Sequence, residues 1–190
     1  MRKVVLAMMT TLNGRLDDPD AWVSGLSDDH YGEIDRRYAT FDTILVGRTT
    51  YEEMREYWPT AGDEPDASEA QLSMARRMKD YRKCVISTAV DLDLGWANAE
   101  LVTVRGDDDI RGFMDDLKAQ PGGDIHLSGG ATLAQTLVRL GLVDEYRFFI
   151  YPVVSKGECW FDQVDGLALE PVGSAAFEDG VTALDFRSVS

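Results

Sequence analysis

The sequence predicts an α/β domain with a mainly parallel central sheet, flanked by helices and ending in an antiparallel C-terminal part. Three patterns predict it. Strand-like and helix-like segments alternate as far as Gly141. The strand-like segments are continuous apolar runs, as expected of strands covered on both faces. The C-terminal stretch carries strand patterns alone, with a hairpin signal at Asp179-Gly180.

Residues 3–9 read as the first buried strand. They do not read as a leader, because Thr10-Thr11-Leu12-Asn13-Gly14 cuts the apolar run short and no small-residue cleavage site follows. Ser27 is placed to cap a helix running to about Phe41, with Tyr31, Ile34, Tyr38 and Phe41 on one face. Thr43-Ile44-Leu45-Val46 is a second strand, ended by Gly47. A short helix follows from Thr50 to about Tyr57 and stops before Pro59. Residues 60–65 are loop-like, and Ser68 precedes a helix to about Asp80. Residues 83–87 and 100–104 are strands three and four.

The helix from Asp108 to Ala119 has the clearest pattern, with Ile110, Phe113, Met114 and Leu117 on one face. Three aspartates sit at its N-terminus, where the helix dipole favours them. Residues 124–128 form a fifth strand that runs through Gly129-Gly130 into a helix carrying Leu133, Leu137 and Leu140, with Gly141 as its stop. Residues 146–154 read as a long aromatic strand. No linker or repeat divides the chain, so one domain over 1–190 is expected.

The 34 acidic and 19 basic side chains give a net charge of −15. That excess argues against unaided binding to nucleic acid or to anionic lipid. No apolar run approaches the ~20 residues of a membrane span. Cys84 and Cys159 lie far apart and form no CxxC, which suits a reducing compartment and a cytoplasmic location. GxGxxG, GxxxxGK[ST], HExxH and GxSxG are all missing, so metal, nucleophilic and P-loop chemistry have no handle. An anionic ligand would need a locally positive pocket.

Two strand–glycine–helix junctions offer one. The first is Ile44-Leu45-Val46-Gly47-Arg48-Thr49-Thr50, and the second is Leu127-Ser128-Gly129-Gly130-Ala131-Thr132-Leu133. Glycine admits a close approach to the backbone, and free amides at a helix start attract phosphate. In a sheet of this kind ligands bind beyond the carboxyl ends of the strands. Two such junctions suit a dinucleotide. Arg48, Ser87, Thr88 and Arg105 also end strands and are placed to surround the 2′-phosphate of NADP(H).

This arrangement resembles the dihydrofolate reductase-like fold, and more closely the stand-alone relatives of the C-terminal reductase domain of the riboflavin-biosynthesis deaminase–reductase. The resemblance covers residues 3 to about 161. It rests on Thr11-Leu12-Asn13-Gly14, Gly47-Arg48-Thr49-Thr50-Tyr51-Glu52, Ser128-Gly129-Gly130-Ala131-Thr132, and Val143-Asp144-Glu145-Tyr146 leading into Tyr151-Pro152-Val153-Val154.

The resemblance implies NADPH as hydride donor. Gly47, Arg48 and Thr49 would hold its adenosine end, with Ser87 and Thr88 near the 2′-phosphate. Ser128, Gly129, Gly130, Ala131, Thr132 and Leu133 would hold the pyrophosphate, and Met9 and Leu16 would meet the nicotinamide. Dihydrofolate reductases keep an acid on the first helix, and Asp28 is the residue in phase for that catalytic role. The family's common Leu-Asp-Gly is Leu12-Asn13-Gly14 here.

Trp22, in the loop beside the cleft, is placed to stack on a planar substrate, and Tyr151 to line the cleft. His126 reads as a buried strand histidine, and His30 as a surface residue. The expected activity is NADPH-dependent reduction of a C=N or C=O carbon in a small planar heterocycle, pterin- or pyrimidine-like. Two rivals stay open. One is reduction of the ribosylamino-pyrimidine of the riboflavin pathway, and the other is nucleotide binding on the same fold without catalysis. The aromatic run 146–151 is also a possible homodimer contact.

Overall fold

A computed structural model describes residues 1–16, 18–23, 25–63, 67–128, 130–157 and 159–189. Gly129, which the sequence assigns to the second junction, lies outside them. Among the described residues eight strands form one sheet in the order β4-β3-β2-β5-β1-β6-β8-β7. They are β1 (Val4–Thr11), β2 (Phe41–Gly47), β3 (Arg82–Ser87), β4 (Ala99–Thr103), β5 (Asp124–Leu127), β6 (Glu145–Tyr151), β7 (Leu169–Ala176) and β8 (Thr182–Ser188). Strands β4 through β6 in that order are parallel, while β8 runs antiparallel to both β6 and β7. The expected mainly parallel sheet with an antiparallel end is what forms.

Among the described residues five α-helices cover the sheet: α1 (Asp28–Tyr38), α2 (Arg48–Tyr57), α3 (Glu69–Asp80), α4 (Asp107–Ala119) and α5 (Ala131–Arg139). Ile34, Tyr51, Met54, Met74 and Met78 carry α1, α2 and α3 onto one face, packed with Ile44, Val46 and Val85. Ile110, Met114, Leu117, Leu133 and Leu137 carry α4 and α5 onto the other, with Leu6, Leu45 and Ile125. Burial on both faces explains the continuous apolar runs.

Strand β5 lies between β2 and β1, and the chain leaves it through α5 to reach β6 on the far side of β1. The crossovers therefore diverge here, and a crevice opens at the carboxyl ends of β2, β5 and β1.

Several expectations change. The first helix ends at Tyr38, and Phe41 begins β2 instead of extending the helix. Thr40 Oγ1 donates to the Arg37 carbonyl at 2.8 Å, turning the chain into the strand. Ser27 precedes α1 but makes no side-chain cap, and its hydroxyl donates to Asp29 Oδ1 at 2.5 Å. The helix buries His30, Ile34 and Arg37, so His30 is interior and not at the surface.

The aromatic run occupies β6, which pairs with β1 on one side and β8 on the other. Its rings Tyr146, Phe148, Phe149 and Tyr151 are buried and pack in the core of the chain. The hairpin signal marks a real turn: Gly180 has φ +85°, and the Phe177 amide donates to the Val181 carbonyl at 2.9 Å. No helix among the described residues is long and apolar enough to cross a membrane.

Candidate active site

Two cavities sit at the carboxyl ends of the parallel strands. The first, about 590 Å³, is lined by Gly47, Arg48, Thr49, Ser87, Thr88, Val104, Thr132 and Leu133, among others. The second, about 580 Å³, is lined by Ala7, Met9, Leu16, Ile34, Tyr38, Glu53, Trp58, His126, Ser128 and Phe149, among others. Thr50, Gly130 and Ala131 line both, so the two meet where α2 and α5 begin.

Helix starts differ in a telling way. Ser68 and Gln71 close α3 with a reciprocal capping box. Asp28 and Asp29 occupy the first turn of α1, and Asp107, Asp108 and Asp109 that of α4. Among the described α-helices, α2 and α5 alone have neither a capping side chain nor an acid in the first turn. Their first amides and the positive ends of their dipoles are left for another partner. Both open on the first cavity, whose described lining residues include Arg48 and no carboxylate. That is a local exception to the −15 of the whole chain.

Glycine is required where the cavities meet. Gly130 has φ +79°, and a Cβ there would lie 3.1 Å from Thr50 Oγ1. Arg48 Nε donates to Glu52 Oε1 at 2.9 Å one turn along α2. That pair is exposed, and exposed pairs hold their partners weakly, so the guanidinium can turn toward a ligand at little cost. Ser87 Oγ accepts from the Ala89 amide at 3.1 Å, which shapes the strand end.

The floor of the second cavity is unusual. His126 on β5 is 1% exposed, its ring stacked 5.0 Å from Phe41 and set edge-on to Tyr38 at 4.8 Å. The Tyr38 hydroxyl stands 3.5 Å from His126 Nε2, at the outer limit of a hydrogen bond. His126 Nδ1 has the Ala7 backbone beside it but no hydrogen bond of good geometry. Burial pulls the imidazole down to about 4, with Arg147 adding to the effect, so the ring is neutral at pH 7. Burial also raises the Tyr38 phenol.

The site residues expected from sequence divide into two groups. Met9, Leu16, Gly47, Arg48, Thr49, Ser87, Thr88, Ser128, Gly130, Ala131, Thr132 and Leu133 all line the paired cavities. Arg105 does not: its side chain is exposed, its amide donates to Asp109 Oδ2 at 2.8 Å, and Val104 is the residue that reaches the cavity.

Asp28 does not face the cleft either. It is exposed in the first turn of α1, because Asp35, farther along the helix, is drawn to Arg77 of α3 and the inward stripe falls on His30 and Ile34. Trp22 is 5% exposed and packs edge-on to Tyr151, with centroids 5.2 Å apart. Trp22 is therefore an anchor for its loop, and Tyr151 is core, with its hydroxyl 3.7 Å from Met9 Sδ.

Residues to which the sequence assigned no site role take their place. Thr50, Glu53 and Trp58 line the second cavity from α2 and its C-cap. Their signal was the spacing 50, 53, 58 along one side of a short helix that also carries the first junction.

The sheet order and the cleft at its switch point define a dihydrofolate reductase-like α/β domain. The chain belongs to the RibD C-terminal domain family, whose model matches residues 2–183. It is 30% identical over 189 residues to the uncharacterized protein YyaP of Bacillus subtilis, covering 98% of this chain and 95% of that one. Among solved structures it is similar to dihydrofolate reductase of Enterococcus faecalis complexed with NADP(H), at TM-score 0.64 and 13% identity, covering 99% of this chain and 97% of that one. It is also similar to the diaminohydroxyphosphoribosylaminopyrimidine deaminase/5-amino-6-(5-phosphoribosylamino)uracil reductase of Thermotoga maritima, at TM-score 0.65 and 13% identity, covering 99% of this chain and 57% of that one. At these identities the two structures show the shared fold alone.

Proposed function

We propose that the protein is an NADPH-dependent reductase acting on a small planar heterocycle. The observation that carries this reading is the pair of uncapped, acid-free helix starts, α2 and α5, opening on a cavity with no carboxylate among its described lining residues, which continues into one walled mainly by apolar side chains. The left-handed Gly130 against Thr50 supports a close backbone approach by a phosphate-bearing ligand, since no side chain fits between them. Gly47, Thr49 and the amides at the start of α5 would hold the adenosine and pyrophosphate, and Arg48, Ser87 and Thr88 the 2′-phosphate. NADPH, when bound, supplies the hydride.

The chain's own residues do the rest. Met9, Leu16, Ile34 and Phe149 supply the apolar walls of the second cavity, and Trp58 offers a ring face for stacking. Neutral Tyr38 and His126 set polar atoms in the floor without adding charge.

Titration with NADPH followed by tryptophan fluorescence tests the reading. Trp58 should report occupancy, its replacement by Phe should remove most of the signal, and NADH should bind more weakly. Equal affinity for the two nucleotides would sink the 2′-phosphate assignment. The exposure of Asp28 favours the second reading, nucleotide binding without turnover. NADPH bound tightly but oxidised with no heterocycle would decide for it.

A further inference from the structure

We infer that the second cavity takes a heterocycle that carries ring N–H or amino donors and no phosphate, and that the Glu53 carboxylate selects it. The inference rests on the reductase reading and names the substrate class of the same cleft.

Charge comes first. The lining of this cavity includes two carboxylates, Asp18 and Glu53, and no Lys or Arg. The residues outside the described set are Asp17, Ser24, Glu64, Pro65, Asp66, Gly129, Glu158 and Ser190, so none of them can supply a cation. Arg15, the cation beside Asp18, lies 3.7 Å from that carboxylate and donates to Ser155 Oγ at 2.5 Å. His126 is neutral and adds nothing positive. A phosphate brought to the Glu53 side of this cavity, away from the α5 start, would lose water and face a carboxylate with no Lys or Arg in the lining, which is costly.

Glu53 supplies the positive side of the argument. It stands one turn after Thr50 on α2, exposed at the cavity, and has no ion-pair partner among the described residues. An ionised carboxylate is an acceptor only, so it matches N–H and amino donors and rejects anions. Trp58 offers the ring face, and Tyr38 and His126 underlie the floor without adding charge. An acceptor at the rim, an aromatic wall and a neutral polar floor fit a flat amino-substituted ring better than a sugar phosphate.

Two matched pairs test this by calorimetry on the full chain: 5-amino-6-ribosylaminouracil against its 5′-phosphate, and dihydroneopterin against its 3′-phosphate. The unphosphorylated member of at least one pair should bind about tenfold or more tightly than its phosphate. Glu53→Gln should weaken the free ring and narrow the ratio, and Glu53→Lys should reverse it. Because Glu53 is exposed, both variants should fold, which circular dichroism verifies.

Tighter binding of the phosphates, a ratio untouched by Glu53→Gln, or no binding of any of the four overturns the inference. NADPH affinity, measured separately, reports on the reductase reading: its loss with the ratio intact would sink that reading alone.

Discussion

His30 Nδ1 lies 2.8 Å from Asp179 Oδ2, tying the start of α1 to the turn between β7 and β8. The imidazole is wholly buried, stacked 4.8 Å from Phe177 and tilted against Phe149 at 4.7 Å. Asp179 also accepts from the amides of Ser27 and Val181. The same helix carries Ile34 and Tyr38 into the second cavity, so this clasp fixes one wall of the site.

His30→Ala should therefore cost about 2–4 kcal/mol, from lost packing and a carboxylate stripped of a partner. Urea unfolding measures it. Unchanged stability would show that the clasp is dispensable.

Acid should weaken the fold in two stages. Folded His126 ionises near 4 against an ordinary 6.5, so the unfolded chain takes up a proton that the native state refuses. Stability is full above pH 6.5 and falls by about 3 kcal/mol as pH drops toward 4. Burial alone would raise the Asp179 carboxyl, but donors from Val181, His30 and Ser27 outweigh it and hold it below its ordinary range. Its contribution is present above an ordinary carboxylate pKa and disappears only below that. Denaturation midpoints from pH 7.5 to 4.5 should drop for the natural protein and flatten for His126→Gln.

Gly130→Ala should both destabilise and close the groove. The left-handed φ costs a Cβ roughly 1–2 kcal/mol, and Thr50 Oγ1 would have to give way as well. Thermal unfolding should shift downward, with NADPH affinity falling further than stability alone explains. Gly141→Ala is the control: its φ is +68° with open space around it, so it should share the strain and spare the affinity.

Arg48→Ala should weaken NADPH about tenfold, some 1.4 kcal/mol, and leave NADH nearly unchanged. The substitution removes only an exposed ion pair with Glu52, so folding should be intact. Comparison of the two nucleotides by fluorescence titration reads the difference, and parallel losses would remove Arg48 from the 2′-phosphate site.

Sequence patterns reveal the sheet because burial on both faces writes continuous apolar runs, as in Ile44-Leu45-Val46 and Cys84-Val85-Ile86. The glycine junctions are legible for a similar reason: backbone geometry leaves few residue choices at Gly130. Side chains that act through long-range placement are not. Asp28 looked inward only because Tyr31 and Tyr38 set the apparent phase, while the stripe that packs is His30, Ile34 and Arg37.

Arg37 can sit there because Asp185 Oδ1 and Oδ2, on β8, accept from its guanidinium at 2.6 and 3.0 Å. Trp22 and Trp58 carry similar local signals, and only the packing against Tyr151 separates anchor from cavity wall. Lys83 shows the same limit: it stands at full burial in β3, its ammonium 4.2 Å from the Trp96 ring centre and bonded to the Tyr81 carbonyl at 2.8 Å.

The carboxylate-free groove is set into a body of net charge −15. A dinucleotide coming from solution is itself an anion, so it meets repulsion at long range and attraction only over the last Debye length, about 8 Å at physiological salt. Dilute buffer then slows capture, and added salt quickens it by screening the distant acids more than the nearby amides. Arrival rates should climb with ionic strength while departure rates hold steady, the reverse of a protein that steers its ligand in. For a groove proposed to hold a nucleotide, the salt of the surrounding medium would thus become a working part of the encounter, setting how often the ligand arrives.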